Sequence, residues 1–209
     1  MDASLFAQKV GPTLLHFTLA ENLPSIERNG LLRPITLARI CDVPIEHLML
    51  RTEALQLHSA EVSARLNSQA WLVAGRRQAD HFLDGHSLEG WSRQLDERLF
   101  FWPYRKGAAF AKSLTDRGDF AMLEMDSRRF YEALRDQIDL SPINSGSAMR
   151  KPARRGNWIY VSAKADWVEF AENRIRRGLT ASRDTVVEVS LKSDISPVLL
   201  KDLRIENAR

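Results

Sequence analysis

Residues 14–32 read Leu14-Leu15-His16-Phe17-Thr18-Leu19-Ala20-Glu21-Asn22-Leu23-Pro24-Ser25-Ile26-Glu27-Arg28-Asn29-Gly30-Leu31-Leu32. A short apolar run with a histidine inside it predicts a strand over Thr13 to Thr18. A helix follows over Asn22 to Asn29, with Asn22 as N-cap, Pro24 in the first turn and Gly30 just past the end. A histidine that projects from a strand beside a helix start can hold a polar ligand against a sheet. Taken alone, such a residue is more often a hydrogen-bonded core histidine.

Composition bounds the rest. Of 209 residues, 44% are hydrophobic and 27% charged, which suits one globular domain over residues 1–209 with a real core. No apolar run approaches the roughly 18 residues of a membrane span, so no membrane partner is expected. Met1-Asp2-Ala3-Ser4-Leu5 lacks the basic start of a secretory signal. Cys41 stands alone, which excludes an internal disulfide and suits a cytoplasmic setting. Its neighbours Ile40, Asp42 and Val43 offer no cation to stabilise a thiolate. His47 and His58, and His81 and His86, lack compact ligand spacing, so no metal is expected.

Beyond the first helix, Leu48, Leu50, Leu55, Leu57, Val62 and Leu66 recur at three- and four-residue spacing, which predicts helices from Ile35 to Leu83. Ser87 caps a further helix to Leu95. Leu99-Phe100-Phe101-Trp102, ended by Pro103, predicts a strand, and Gly107 to Leu114 a helix. Phe120 to Asp126 predicts a strand and Ser127 to Gln137 a helix. Leu140 to Asn157 reads as a loop, Trp158 to Ser162 as a strand, Trp167 to Arg176 as a helix, and Thr185 to Leu191 as a strand. A last strand or turn is expected within Val198 to Ile205. The sum is an α+β domain.

Two residues stand out for chemistry besides His16. Glu188 lies mid-strand between Val187 and Val189, and Glu124 occupies a similar position in an earlier strand. Each either faces water from an open sheet or lines a cleft, and periodicity does not choose between them. The formal charge of +3 is unevenly spread: Arg150, Lys151, Arg154 and Arg155 fall within six positions. Arginine's planar fork suits phosphate, although a solvated surface carries such clusters too.

The run LLHFTLAENLPSIERNGLL resembles the opening of ADP-ribosyltransferases of the DarT type, through His16, Thr18, Asn22 to Ile26 and Gly30 to Leu32. Leu99 to Pro103, Phe120 to Asp126 and Asp184 to Leu191 are similar to that family's later strands in the same order. The opening is specific, whereas the strands are generic in composition. The resemblance implies a split β-sheet core with a helical insertion, roughly residues 35–95, after the first strand and helix. It implies NAD as the substrate that donates ADP-ribose, and Glu188 as the catalytic carboxylate. His16, Thr18 and Asn22 would rim the nicotinamide-side ribose, and Arg51 would hold the phosphates, with Arg33 or Arg39 as substitutes. Tyr104 or Trp102 would stack on a flat ring, although Trp102 suits core packing better.

The acceptor implied is a base of single-stranded RNA or DNA, as for a toxin of a bacterial toxin-antitoxin or phage-defence system, with a possible antitoxin protein as partner. The loop after Leu140 would face it, Asn144 and Ser145 reading the base and Arg150, Lys151, Arg154 and Arg155 the phosphates. The chain departs from the family in two ways. The arginine motif has no clear counterpart between Ile35 and Leu83, and Val186 stands where protein-arginine-modifying members carry an acidic partner of the catalytic glutamate. A protein-modifying transferase, an NAD glycohydrolase and a non-catalytic nucleotide-binding protein are the alternatives.

Overall fold

The computed structural model describes residues 1–114, 118–149, 152–176 and 185–205. Among these, the order is α1 (Ala3–Val10), β1 (Thr13–Leu19), α2 (Leu23–Asn29), α3 (Pro34–Ile40), β2 (Leu55–His58), β3 (Ser63–Leu66), α4 (Ala70–Val73), α5 (Ala79–Phe82), α6 (Leu88–Asp96) and β4 (Leu99–Pro103). Then come α7 (Tyr104–Leu114), β5 (Phe120–Asp126), α8 (Ser127–Leu134), β6 (Ile138–Ser141), β7 (Val161–Ser162), α9 (Trp167–Arg176), β8 (Glu188–Leu191) and α10 (Pro197–Leu203). Among the described residues no helix is long and apolar enough to cross a membrane.

Six strands form one antiparallel sheet in the order β5-β1-β4-β8-β6-β7, and the fold is α+β. Alternation gives the sheet two faces. Leu14, Phe101, Leu123, Met125, Val189 and Leu191 lie on one and join the main core with α1 and α8 residues such as Phe6 and Phe130. Leu15, Trp102, Ser190 and Glu188 share the other face by register. There α7 crosses the sheet so closely that a Cβ on Gly107 would stand 2.6 Å from Leu15 Cδ1.

β1 and β4 pair at only two rungs, Leu14 with Pro103 and Leu15 with Trp102, while β1 pairs with β5 along its whole length. Past Leu15 the two strands part, and the opening between them is the feature that positions the site.

The structure departs from the periodicity at several places. The stretch expected to be helical from Ile35 to Leu83 contains the β2–β3 hairpin, so the insertion is mixed rather than helical. The leucines that suggested helix also alternate, with Leu57, Ala64 and Leu66 buried around a separate small core. Asn22 occupies the N-cap position of α2, yet its side chain makes no cap bond. Of the strand expected over Trp158 to Ser162 only Val161–Ser162 pairs. Val198 to Ile205 is mostly the helix α10, capped by Ser196 with Pro197 at its first position. Helix α1 is an element beyond those expected, with Asp2 capping Leu5 at 2.8 Å and apolar Phe6 and Val10 one turn apart.

Gly30 is where the opening motif locks to the C-terminal end of the chain. Its φ is +81°, and a Cβ there would land on the Ile195 carbonyl oxygen. Leu31 and Ile195 exchange two backbone hydrogen bonds of 2.9 Å beside it. Gly30→Ala is therefore expected to lower unfolding stability by more than about 2 kcal/mol, read as a reduced urea midpoint with an unchanged slope.

Candidate functional site

The parted strands open into a cavity of about 840 Å³, within the size range of small-molecule sites. Its wall includes His16, Thr18 and Asn22 from the β1–α2 motif, Trp102 from β4, Asn144 and Ser145 from the loop after β6, and Glu188 from β8. The insertion closes the other side with Arg51, Arg65 and Trp71. Glu124, the rival carboxylate, does not line it.

His16 belongs by alternation to the core face, with its ring 5.4 Å from that of Phe101. It reaches the cavity because β1 has left β4 at this point. Its Nδ1 lies 2.9 Å from the Phe100 carbonyl oxygen, a group whose would-be partner strand has turned away. A carbonyl only accepts, so Nδ1 carries the proton and Nε2 is left with a lone pair. Burial holds the imidazole below its usual pKa, opposed by that hydrogen bond, so the ring is neutral at pH 7. Nε2 can therefore accept a hydrogen bond but not donate one.

Glu188 is only 3% exposed. Its Oε1 accepts from Ser145 Oγ at 2.6 Å and from the Ser145 amide at 3.3 Å. Burial pushes its pKa up to about 7, against the downward pull of Ser145 and of the Arg155 and Arg98 guanidinium groups. Arg155, 2% exposed, donates Nη1 to the Ser145 carbonyl at 2.8 Å and Nε to that of Ala153 at 3.0 Å. Burial lowers its own pKa to about 10. Trp91 Nε1 also donates to the Ser145 carbonyl, at 3.1 Å. Ser145 is thus gripped from behind and presents its hydroxyl to the carboxylate.

A further layer lies alongside. Arg98 bonds Asp139 at 2.7 Å and Ser190 Oγ at 3.0 Å, and its guanidinium sits 3.9 Å from the Tyr160 ring centroid. The Tyr160 hydroxyl is sealed without a hydrogen bond of good geometry, and burial and the Glu188 charge push its pKa up. No local pattern in the sequence singles out Arg98, Asp139 or Tyr160, because they meet only through strand pairing.

The remaining expectations divide. Thr18 and Asn22 reach the cavity wall, where Asn22 Nδ2 donates to Thr18 Oγ1 at 3.0 Å and to the Arg65 carbonyl at 2.9 Å, and its Oδ1 accepts from Arg65 N at 2.7 Å. Arg51 lines the cavity but spends Nη1 on both Asp96 oxygens, at 3.0 and 2.9 Å, and Nε on the Asn67 carbonyl. Arg33 is committed to Asp194. Tyr104 is 50% exposed at the start of α7, away from the cavity, so it is corrected as a stacking residue.

Asn144 bonds its own loop at Gly146. Ser145 and Arg155, expected at a nucleic-acid surface, are buried under Glu188 instead, because the loop folds inward over β8. Arg154 is exposed and pairs with Asp84 at 2.6 Å. Arg150 and Lys151 lie outside the described residues.

The chain belongs to DUF7002, a family of unknown function whose model matches residues 12–201. That span takes in all six strands of the sheet and every wall of the cavity. No curated protein matches the chain.

The burial of Glu188 has a consequence for stability. Its folded pKa lies above the unfolded value, so the native state holds the extra proton between about pH 4.5 and 7. Stability from this group is present at low pH and is lost as pH rises through about 7. Glu188→Gln keeps the shape and removes the charge. At pH 8 it is expected to exceed the wild type in unfolding free energy by up to about 3 kcal/mol, with the gap closing toward pH 5 in parallel urea titrations.

Proposed function

We propose that the protein is an ADP-ribosyltransferase that takes ADP-ribose from NAD and passes it to a nucleic-acid base, on a split-sheet core of the ADP-ribosyltransferase kind. The observation that carries the reading is that His16 and Glu188, far apart in the chain, both line one cavity of about 840 Å³. They do so although register sets them on opposite faces of the sheet, with β4 between them, rather than on adjoining strands of one face. The opening motif from Leu14 to Leu32, with its resemblance to DarT-type enzymes, adds weight. A neutral imidazole on the cavity wall, with a lone pair left on Nε2, suits a ribose hydroxyl. A carboxylate suits the positive charge that grows on the ribose as nicotinamide departs.

In this chemistry the bond from C1′ of the ribose to the nicotinamide nitrogen breaks, and its electron pair stays with nicotinamide. A ring or exocyclic nitrogen of the acceptor base forms the new bond to C1′ and gives up a proton to water. Glu188 opposes the developing oxocarbenium charge and, once ionised, is placed to orient the acceptor. Ser145, fixed by Arg155 and Trp91, holds the carboxylate in one orientation, so little reorganisation is needed at the moment of transfer.

Arg65 is a better phosphate ligand than Arg51. It lines the cavity and, among the described residues, its ion pair is the half-exposed one with Glu21 at 3.2 Å. Such a pair contributes little and exchanges easily for phosphate, whereas moving Arg51 would strand the buried Asp96.

Incubation with radiolabelled NAD and separate pools of RNA, DNA and protein tests the reading. Label is expected in nucleic acid, and Glu188→Gln is expected to reduce it at least about 100-fold. Absence of transfer and of nicotinamide release, or equal transfer by the variant, would sink the proposal. Label only in protein, or only free ADP-ribose, would instead identify a protein transferase or a glycohydrolase. Since Glu188 acts as the anion, kcat/KM is expected to fall about tenfold per pH unit below about 7 and to level off above it. Expression in bacteria should arrest growth through the same carboxylate, and a neutralising protein would have to cover the mouth of this cavity.

A further inference from the structure

Behind the cavity wall lies a hydroxyl that packing alone does not explain. Tyr160 joins the single turn Asn157–Ile159 to β7, and its backbone N–H closes that turn on the Asn157 carbonyl. Its ring stacks on Trp91, with centroids 5.8 Å apart and planes at 16°, and carries the Arg98 guanidinium 3.9 Å from its centroid. Both neighbours are tied down in turn, Trp91 to the Ser145 carbonyl and Arg98 to Asp139 and Ser190. The ring is therefore held in one place. Its hydroxyl is sealed from water and makes no hydrogen bond of good geometry. An unpaired buried hydroxyl is costly, and phenylalanine would fill the same space without that cost.

The hydroxyl faces the Ser145–Glu188 pair. Burial and the Glu188 charge push its pKa up, whereas Arg98 and the Ser145 side chain draw it down, so both partners lie within its reach. It keeps its proton throughout the range in which the carboxylate titrates. Ser145 Oγ donates to Glu188 Oε1 at 2.6 Å and still has lone pairs of its own to offer. The other charged groups around Glu188 are Arg155 and Arg98, with Asp139 and Lys192 behind Arg98. Arg155 is spent on backbone carbonyls, and Arg98 on Asp139 and Ser190, so neither donates to Ser145 Oγ. Tyr160 does not line the cavity and so meets no ligand directly.

We propose that Tyr160 is a positioning residue of this site: as Glu188 becomes an anion, the phenol donates to Ser145 Oγ, Ser145 donates to Glu188, and this chain of two hydrogen bonds holds the carboxylate in its working form. Each bond polarises the next, so a donor placed behind Ser145 strengthens the bond in front of it. A chain that forms on the anion favours the anion, and its loss raises the Glu188 pKa above about 7. The inference rests on the transferase reading for what Glu188 does, not for the chain itself.

Stability measured without NAD tests the chain separately from catalysis. Tyr160→Phe keeps the ring, its stack and its cation, and removes one oxygen. In the wild type, the Glu188 contribution falls as pH rises toward about 7 and is level above it. Urea midpoints between pH 5 and 9 are expected to level off about one pH unit higher in Tyr160→Phe. In a Glu188→Gln background, the same replacement is expected to shift the midpoint equally at every pH. Tyr104→Phe, at an exposed tyrosine, is the control and is expected to move neither curve. In NAD labelling, kcat of Tyr160→Phe is expected to fall about tenfold at pH 6 and about fivefold at pH 7, recovering by pH 9 with KM unchanged.

Midpoint curves that run parallel to the wild type, or a pH-dependent difference that survives in Glu188→Gln, overturn the role of Tyr160. If the plateau moves as expected but no label leaves NAD, the chain stands and the transferase reading falls. If label moves while the plateau stays in place and kcat drops equally at every pH, the transferase reading stands and Tyr160 only packs.

Discussion

The parting of β1 from β4 after two rungs is the constraint from which the site follows. A sheet that stayed paired would leave His16 on the core face and Glu188 on the other, with no shared space between them. Once β1 swings away, the Phe100 carbonyl loses its natural partner, and a buried acceptor left alone costs about 1–3 kcal/mol. His16 Nδ1 takes that place at 2.9 Å. One hydrogen bond thereby satisfies the broken ladder and fixes the imidazole tautomer, on a ring that lines the cavity. The opening and the chemistry of its wall have the same cause.

Beneath Glu188 the protein carries an expensive arrangement. A carboxylate at 3% exposure and a guanidinium at 2% are both withdrawn from water, yet their contact runs through Ser145 rather than through a direct ion pair. Well-packed hydrocarbon would be more stable there. A rigid carboxylate whose pKa sits near 7 is the kind of group found where charge must be developed or moved, and stability is commonly given up to keep one. Asp139 holds Arg98 and, on its other oxygen, Lys192 at 3.1 Å. Two cations on one carboxylate leave positive charge on the same face, in line with the downward pull of Arg98 on the Glu188 pKa.

Local physics was legible in the sequence, and long-range pairing was not. β1, β4, β5, α6 and the Gly30 stop could be read because a short window holds their whole signal: an apolar run, a capping serine, a glycine at positive φ. The β2–β3 hairpin is not legible because its leucines satisfy both the helical and the alternating spacing, and only pairing with a partner decides. The strand order β5-β1-β4-β8-β6-β7 joins residues far apart in the chain, for which periodicity carries no information. The same limit explains the basic loop. Arg154 and Arg155 are adjacent and chemically identical in the sequence, yet one faces water and the other lies under Glu188, because burial is set by where the loop folds and not by its composition. His16 and Glu188 were legible as residues; their convergence on one cavity was not.

The cavity also divides into two halves of different origin. The sheet supplies His16, Trp102 and Glu188, whose positions are fixed by backbone ladders. The insertion supplies Arg51, Arg65 and Trp71, and is tied to the sheet through Asn22, whose amide donates to the Arg65 carbonyl and accepts from the Arg65 N–H. That pair of bonds substitutes for a strand neighbour at the edge of β3, and it explains why Asn22 is not spent on capping α2. A side chain bound to backbone on both of its polar atoms is costly to move, so the insertion is held in register with β1 while its outward residues stay free to vary in their contacts. In the proposed reaction the groups that must be exact in position, His16 and Glu188, belong to the ladder half, whereas the half that Asn22 anchors supplies the half-exposed Arg65.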